Sequence, residues 1–406
     1  MARSLLLLAL FFAAATASAA ESPSLTALKT YLAKPASDRP KLAAQGFAKV
    51  PLSKAEAEEA ESLLWADLAA RLQAERKPEL ERKVVRAGDK EMPFAYRTFG
   101  EKPATGRSLY LSMHGGGGAP KRVNDSQWEN QKILYQPAEG IYVAPRAPTD
   151  TWDLWHQGHV DACFERLIDN FVACEGVNPD RVYLMGYSAG GDGVYQIAPR
   201  MADRLAAASM MAGHPNEASP LGLRNLPFSI HVGAGDSGYG RNTVAKQWGE
   251  KLDKLRAADP QGYEHWVKLY EGKGHWMDRE DAAAIPWMAK FTRNSWPSRV
   301  VWFQDDVTHD RFYWLAVPSA ERQAGAEVTA RVEGQKIEIT AQKVAKLKVR
   351  FSDPLLDLEK PLTIVAGGKT LFSGKVERTI GAMHASLIER ADPRSIYRGE
   401  VEIEVK

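Results

Sequence analysis

The stretch Val182–Gly191 constrains the fold of this chain more than any other. Its first four residues are apolar with strand character, the pattern Gly-x-Ser-x-Gly follows around Ser188, and Val194–Met201 is helix-like. A serine on such a strand-to-helix turn is lifted clear of the sheet, and the tight backbone accounts for glycine two residues away on either side. The N-terminus of the next helix favours negative charge there. The stretch predicts that Ser188 is a nucleophile; the alternative is an idle serine in a glycine-rich turn.

Strands and helices alternate from residue 85 onward, which predicts a mostly parallel sheet covered by helices on both faces. The predicted strands around the Ser188 strand are Pro93–Phe99, Ser108–Met113, Gly140–Ala144, Ala206–Ala212, Phe228–Val232 and His265–Tyr270. The predicted helices include Val160–Glu175, Asn242–Ala257 and a closing helix over Asp281–Arg293.

A serine hydroxyl needs a base, and His275 is the histidine that best fits this role. It lies in a glycine-flanked loop directly after a predicted strand, and it follows the best acid in the chain order Ser, Asp, His. His265 lies within a predicted strand, which favours a packing role. His214 also ends a strand and is the second choice for a site residue.

The base needs an acid to fix its tautomer, and Asp236 is the strongest candidate. It lies in a glycine-rich loop at the end of an apolar strand; a local turn aspartate is the alternative. Asp192 is expected in the first turn of the helix after Ser188, where it interacts with the helix dipole. Asp278 and Asp281 lie too near His275 along the chain to be preferred, although either could replace Asp236.

The negative oxygen formed during acyl transfer needs N–H donors. Ala189, directly after the nucleophile, is expected to supply one donor. The run Gly115–Gly118 follows a strand ending in His114, and Gly116 or Gly117 is expected to supply the second. A flexible turn is the alternative for this run.

Four motifs in one order, His-Gly-Gly-Gly, Gly-Tyr-Ser-Ala-Gly-Gly, Gly-x-Gly-Asp and Gly-x-Gly-His, resemble the α/β-hydrolase superfamily over residues 90–293. Within it, the lead-in Asn178–Tyr183 resembles exported polyhydroxybutyrate depolymerases, feruloyl-esterase-like enzymes and the prolyl-oligopeptidase-type catalytic domain. The resemblance implies an α/β-hydrolase fold and acyl transfer to water through a serine ester. It also implies that no metal or organic cofactor takes part.

Aromatic residues near the expected site are candidates for a wall against an acyl or sugar group. Trp152, Trp155 and His156 follow a strand at its carboxyl end, where ligands gather in an open α/β sheet. Trp276 adjoins His275, and His214 lies after another strand. For the tryptophans and His156, packing beneath the loop is the alternative.

Residues 1–20 are predicted to be a signal peptide. Arg3 precedes an apolar run over Leu5–Ala15 that is short for a membrane span, and small residues allow cleavage near Ala19 or Ala20. We therefore expect a periplasmic or secreted protein that does not bind a membrane after cleavage. Cys163 and Cys174 lie on one predicted helix, separated by roughly 16 Å of rise, so we expect two free, buried thiols.

Three regions are expected to follow the signal peptide. Residues 21–84 read as amphipathic helices, with packing against the outside of the core preferred over a cap on the active site. Residues 85–297 form the α/β-hydrolase catalytic domain. Residues 298–406 contain short alternating strands that predict a small β-sandwich-like domain with a packing role, polymer binding being the alternative.

The charge composition gives no support to two classes of partner. The 53 Lys and Arg nearly cancel the 51 Asp and Glu, which does not favour nucleic acid or an anionic membrane as a partner. The sequence therefore favours an exported serine hydrolase that cleaves small-molecule or polymeric carboxylic esters through an acyl-enzyme. A serine peptidase of the prolyl-oligopeptidase type and a catalytically silent binding protein remain alternatives, and the oligomeric state stays open.

Overall fold

The computed structural model describes residues 22–405, so the predicted signal peptide over residues 1–20 lies outside the described residues. An eight-stranded sheet forms the centre of the molecule, with the strand order β1-β2-β4-β3-β5-β6-β7-β8. Its strands are β1 (Val84–Ala87), β2 (Lys90–Phe99), β3 (Arg107–Met113), β4 (Gly140–Pro145), β5 (Val177–Tyr187), β6 (Ala207–Met211), β7 (Phe228–Gly233) and β8 (His265–Tyr270).

Six neighbouring strands of the central sheet, from β4 to β8, run parallel to one another. Strand β2 pairs antiparallel with β4, and β1 pairs antiparallel with β2 at the edge. Strands β3 and β5 are almost entirely buried, as parallel strands covered on both faces must be. The prediction of a mostly parallel sheet is confirmed, and the edge strand β1 is an addition to it.

Helices lie on both sides of this sheet. They are α3 (Lys121–Leu134), α4 (Gly158–Glu175), α5 (Ala189–Arg200), α6 (Arg241–Ala258) and α7 (Ala284–Met288). The predicted closing helix over Asp281–Arg293 is wrong in extent, because α7 covers only its middle. The chain leaves the helix to bond with β5: the Phe291 carbonyl accepts from the Tyr183 hydroxyl at 2.9 Å, and the Arg293 N–H donates to the Asp180 carbonyl at 2.9 Å.

Both cysteines lie on α4 and are free. Cys163 is buried as expected, whereas Cys174 is only half-buried because it faces the boundary between α4 and the N-terminal helices. Burial raises the pKa of the Cys163 thiol to about 11, which keeps that thiol protonated and unreactive.

Two helices, α1 (Pro23–Leu32) and α2 (Lys54–Arg82), dominate the N-terminal region. A reciprocal capping box starts α2: the Ser53 N–H donates to Glu56, and the Glu56 N–H donates to the Ser53 hydroxyl. The buried stripe of α2 packs against α4 and against a C-terminal helix, α8 (Ile380–Glu389). The region therefore lies on the outside of the core, in agreement with the preferred interpretation.

Two further sheets follow the central one. The five-stranded sheet contains β9 (Arg299–Phe303), β12 (Glu327–Glu333), β13 (Lys336–Gln342), β15 (Leu362–Ala366) and β16 (Lys369–Gly374). The four-stranded sheet contains β10 (Arg311–Phe312), β11 (Leu315–Ala316), β14 (Lys346–Phe351) and β17 (Gly399–Glu404). Their apolar faces join one buried cluster, in which the rings of Trp302 and Phe312 stack at 6.1 Å.

The C-terminal sheets also share this buried cluster with the central sheet. The Tyr313 hydroxyl donates to the Ala202 carbonyl at 3.1 Å, and the Asn225 amide donates to the Arg299 carbonyl at 2.9 Å. The short strands expected after residue 298 are present, and two of them, β10 and β11, form a tight antiparallel hairpin. Within residues 22–405, no helix has the length and apolar character needed to cross a bilayer.

Candidate active site

Ser188 occupies the sharp turn between β5 and α5. Its backbone angles are φ 59° and ψ −122°, a conformation that a non-glycine residue adopts only where the surrounding structure enforces it. A Cβ on Gly186 would lie 2.2 Å from the Gly190 carbonyl oxygen, and one on Gly190 would lie 2.2 Å from the Met113 carbonyl oxygen. Backbone contact on both sides of the turn therefore requires the two glycines of the Gly-x-Ser-x-Gly pattern.

His275 and Asp236 form a continuous hydrogen-bonded chain with this serine. The His275 Nε2 lies 3.0 Å from the Ser188 Oγ, and its Nδ1 lies 2.8 Å from the Asp236 Oδ2. The Asp236 side chain is 3% exposed, whereas His275 opens onto the solvent. The Gly235 N–H donates to the Lys273 carbonyl at 2.9 Å, which ties the loop of the acid to the loop of the histidine.

Tyr187 fixes the histidine loop from the residue directly before the nucleophile. Its hydroxyl donates to the His275 carbonyl at 2.6 Å and accepts from the Met277 N–H at 3.2 Å. Sequence reasoning did not single out this residue, although its place inside the nucleophile motif was a usable signal. The tyrosine couples the turn of the serine to the loop of the histidine.

The glycine run after β3 passes directly beside the nucleophile. A Cβ on Gly115 would lie 3.1 Å from the Cβ of Ser188. The prediction that Gly117 serves as an oxyanion donor is corrected, because the Gly117 N–H donates to the Asn124 Oδ1 at 2.8 Å. The Gly116 N–H makes no hydrogen bond within residues 22–405. Ala189 is the first residue of α5, so its N–H has no acceptor within the helix.

A buried polar network holds this glycine loop in place. Asn124 on α3 is completely buried, and its amide nitrogen donates to the Asp150 carboxylate at 2.9 Å. Arg146 in turn pairs with Asp150 and lies 3.0 Å from Asp125. Sequence reasoning missed Asn124, because hydrophobic periodicity carries no information about a buried amide.

His114 and Trp155 support the same loop from below. The His114 Nδ1–H donates to the Gly115 carbonyl at 2.6 Å, and its Nε2 accepts from the Ala147 N–H at 3.2 Å. Burial lowers the pKa of His114 to about 4, so its ring is neutral at physiological pH. Trp155 is fully buried, and its indole N–H donates to the His114 carbonyl at 2.9 Å.

The other acids near Ser188 have partners of their own. Asp192 lies in the first turn of α5 as expected, accepts from the His214 N–H at 2.6 Å, and has a pKa raised by burial to about 6. Asp278 pairs with Lys273 at 2.8 Å. Asp281 is buried and accepts from the Tyr135 hydroxyl. None of the three makes a hydrogen bond to His275 within residues 22–405.

His265 is engaged away from the nucleophile. Its Nδ1 contacts the Tyr263 carbonyl at 2.8 Å and its Nε2 contacts Asp253 at 3.1 Å. These contacts agree with the packing role that was favoured for it.

A cavity of about 1090 Å³ opens over Ser188 and His275. Trp152, Trp276 and His214 line it, and the two tryptophans are 65% and 49% exposed. The predicted wall residues Trp155 and His156 do not line it, because both side chains turn inward beneath the loop. No residue between 22 and 114 lines it either, so the N-terminal helices do not cap the site.

The sheet order, the strained serine turn after β5, and the order Ser188, Asp236, His275 along the chain define an α/β-hydrolase fold. Within residues 22–405, no group of three or more His, Cys, Asp or Glu side chains is placed to hold a metal ion.

No family model matches the sequence. The chain is 29% identical over 127 residues to "Putative esterase NocK" from Nocardia uniformis subsp. tsuyamanensis; the match covers 29% of this chain and 37% of that protein.

Among solved structures, the chain is similar to a thermostable esterase (16% identity, TM-score 0.38, covering 52% of this chain and 62% of the other). It is also similar to LpqC, a poly(3-hydroxybutyrate) depolymerase from Bordetella parapertussis (17% identity, TM-score 0.38, 54% and 93% covered). A carboxylesterase from Mesorhizobium loti gives 18% identity, TM-score 0.35, and 51% and 99% covered. The chain thus spans about a third of NocK and under two thirds of the thermostable esterase, and these similarities do not assign a substrate to it.

Proposed function

We propose that the chain is a serine hydrolase that cleaves carboxylic ester bonds. The observation that carries the proposal is the unbroken contact from Asp236 through His275 to Ser188, set on a strained turn and open to a large cavity. Serine, base and orienting acid in hydrogen-bond contact are the arrangement that activates a hydroxyl for attack on an acyl carbon.

The proposed reaction begins with attack of the Ser188 Oγ on the ester carbonyl. The His275 Nε2, 3.0 Å away, accepts the hydroxyl proton and later delivers it to the departing alcohol. Asp236 holds the Nδ1–H of His275 and stabilises the charged imidazole. The Gly116 and Ala189 N–H groups are the proposed oxyanion donors. Water then attacks the acyl-enzyme by the same route and releases the acid.

The test compares the mature protein with Ser188→Ala, using a fluorophosphonate probe and p-nitrophenyl esters of increasing acyl length. We expect the variant to lose labelling and to lose kcat by roughly 10⁴-fold or more, because attack then lacks its nucleophile. Ser237→Ala is the matched control, since Ser237 is an exposed serine close to Asp236 along the chain.

Equal labelling and turnover in the wild type and in Ser188→Ala would refute the assignment of the nucleophile. Turnover of peptides and anilides without preference for esters would instead favour the serine peptidase. An inert wild type would favour the silent binding protein.

The proposal includes export, on the strength of the signal-like sequence of residues 1–20. It also includes the division at residues 84/85 and 297/298, with the triad in the middle region. Trp152, Trp276 and His214 are the proposed substrate contacts, because they line the cavity over Ser188.

A further inference from the structure

A second cavity of about 740 Å³ adjoins the one over Ser188. The two cavities share Leu134, at the end of α3, and Arg279, in the loop after His275. Arg279 therefore borders both the cavity over Ser188 and the second cavity.

Arg279 is an exposed cation without a partner within residues 22–405: no hydrogen bond or ion pair involves its guanidinium. The acids on either side of it along the chain are turned elsewhere. Asp278 and Glu280 both bind Lys273, at 2.8 and 2.9 Å. The sequence thus places two carboxylates next to Arg279, and the fold assigns them to another cation.

The backbone conformation at this point is unusual. Asp278 and Arg279 have φ angles of 53° and 65°, two successive non-glycine residues in the left-handed region. Such a conformation costs of order 1 kcal/mol or more per residue and persists where the surrounding structure enforces it. Here it accompanies an arginine that lines both cavities.

The second cavity is positively charged. Its lining includes the cations Arg181, Arg279 and Lys290 and one carboxylate, Glu139. Glu139 lies 3.7 Å from Arg181, so this pair is largely self-compensating. Arg279 and Lys290 have no acidic partner within residues 22–405. An anion entering from the Ser188 side meets an arginine first.

We propose that the ester cleaved at Ser188 carries a carboxylate, which Arg279 binds at the junction of the two cavities. The guanidinium fork suits a carboxylate geometrically, because two N–H groups can donate to its two oxygens. Among the cations of residues 22–405, Arg279 alone lines both cavities, so the single positive charge at the junction matches a singly charged carboxylate. This inference rests on the proposed ester hydrolysis at Ser188.

The first test compares kcat/KM for two matched pairs of esters. Mono-p-nitrophenyl glutarate against p-nitrophenyl pentanoate places the carboxylate on the acyl side, and 4-carboxyphenyl butyrate against phenyl butyrate places it on the alcohol side. We expect at least one anionic ester to be preferred about 5- to 10-fold at low salt, and the preference to shrink at 1 M NaCl because the contact is exposed.

Arg279→Gln should reduce that preference to about one, and Arg279→Lys should retain part of it, because the charge remains while the fork is lost. Lys246→Gln removes an equal charge from an exposed residue of α6 that lines neither cavity, and it should keep the full preference. Equal rates within both pairs, or a preference that survives in Arg279→Gln, would overturn the inference.

Calorimetric titration of Ser188→Ala with monomethyl glutarate separates this inference from the proposed catalysis. We expect Ser188→Ala/Arg279→Gln to bind this ligand about 5- to 10-fold more weakly than Ser188→Ala alone. If neither variant binds it, or both bind equally, the carboxylate site is wrong even where neutral esters are hydrolysed. If binding depends on Arg279 but no ester turns over, the carboxylate site stands and the esterase proposal fails.

Discussion

At the scale of single residues, the hydroxyl of Tyr187 links the two parts of the site that carry the base and the nucleophile. Two hydrogen bonds, to the carbonyl of His275 and from the N–H of Met277, join the histidine loop to the strand that carries Ser188. A base that must stay within 3.0 Å of a hydroxyl loses efficiency when its loop can drift, since small misplacements of reacting groups slow a reaction strongly.

We predict that Tyr187→Phe lowers kcat about 10-fold on a good ester substrate while KM changes less than about 3-fold. The ring and its packing remain, so the loss reports on the position of His275 and not on a cavity. Tyr183→Phe is the matched control on the same strand, because it removes a hydroxyl bond to the Phe291 carbonyl, which lies beyond α7 and outside the histidine loop. Steady-state kinetics that show equal losses for the two variants would contradict this role for Tyr187.

The residues that meet at the site differ in how far the sequence could indicate them. Ser188, Asp236 and His275 each lie in a glycine-containing loop directly after a strand, and parallel strands bring such loops to one edge. Tyr187 acts through a hydrogen bond to the backbone of the distant histidine loop, and Asn124 joins the nearby Gly117 N–H to the side chain of Asp150; no hydrophobic pattern encodes either contact. Gly117 shows the same limit. The glycine motif made its N–H a candidate oxyanion donor, but in the structure this N–H donates to the Asn124 side chain.

At the scale of elements, α3 shows why periodicity fails for some helices. Its buried residues are Asn124 and Gln131, while the apolar Ile133 is 65% exposed and lines the cavity. A helix whose buried face is polar has no hydrophobic stripe to detect. In α8, by contrast, Ile380, Met383 and Leu387 are buried at helical spacing after a Thr379 cap, so this helix was readable in the sequence and was overlooked.

The segment that precedes α7 contains a buried carboxyl group, that of Asp281. Asp281 is fully buried, its Oδ2 accepts from Tyr135, and its Oδ1 has no partner within residues 22–405. Burial raises the pKa of Asp281 to about 6, above the value near 4 of an unfolded chain. The folded state therefore binds this proton more tightly, and the associated stability is present below about pH 4 and lost as the pH rises through 6.

We predict that Asp281→Asn stabilises the protein by on the order of 2 kcal/mol at pH 8 and has little effect at pH 4.5. The amide can still accept from Tyr135 but cannot ionise. Denaturant unfolding at the two pH values measures the difference. Asp278→Asn should show no gain at pH 8, because Lys273 lowers the pKa of that exposed carboxyl. A stability change for Asp281→Asn that is independent of pH would argue against a buried charge.

At the scale of the whole molecule, buried ion pairs connect the C-terminal region to the central sheet. Asp392 lies 2.7 Å from Arg293 and 3.2 Å from Arg204, and all three side chains are almost completely buried. Arg293 also lies 2.9 Å from Asp180, at the start of β5. Burial alone would raise the pKa of the Asp392 carboxyl, but these arginines hold it far below its usual range, so the carboxyl is ionised at neutral pH.

We predict that Asp392→Ala destabilises the protein by about 3 kcal/mol, because two buried guanidinium groups lose their shared partner although each keeps another acid beside it. Asp310→Ala is the control, since it breaks a pair with Arg322 that is largely exposed and should cost less than about 1 kcal/mol.

Calorimetry of the wild type should give one cooperative transition, which Asp392→Ala shifts as a whole, because residues after 298 share their buried cluster with the central sheet. Two transitions, of which only one moves, would mean that the C-terminal region folds as an independent domain.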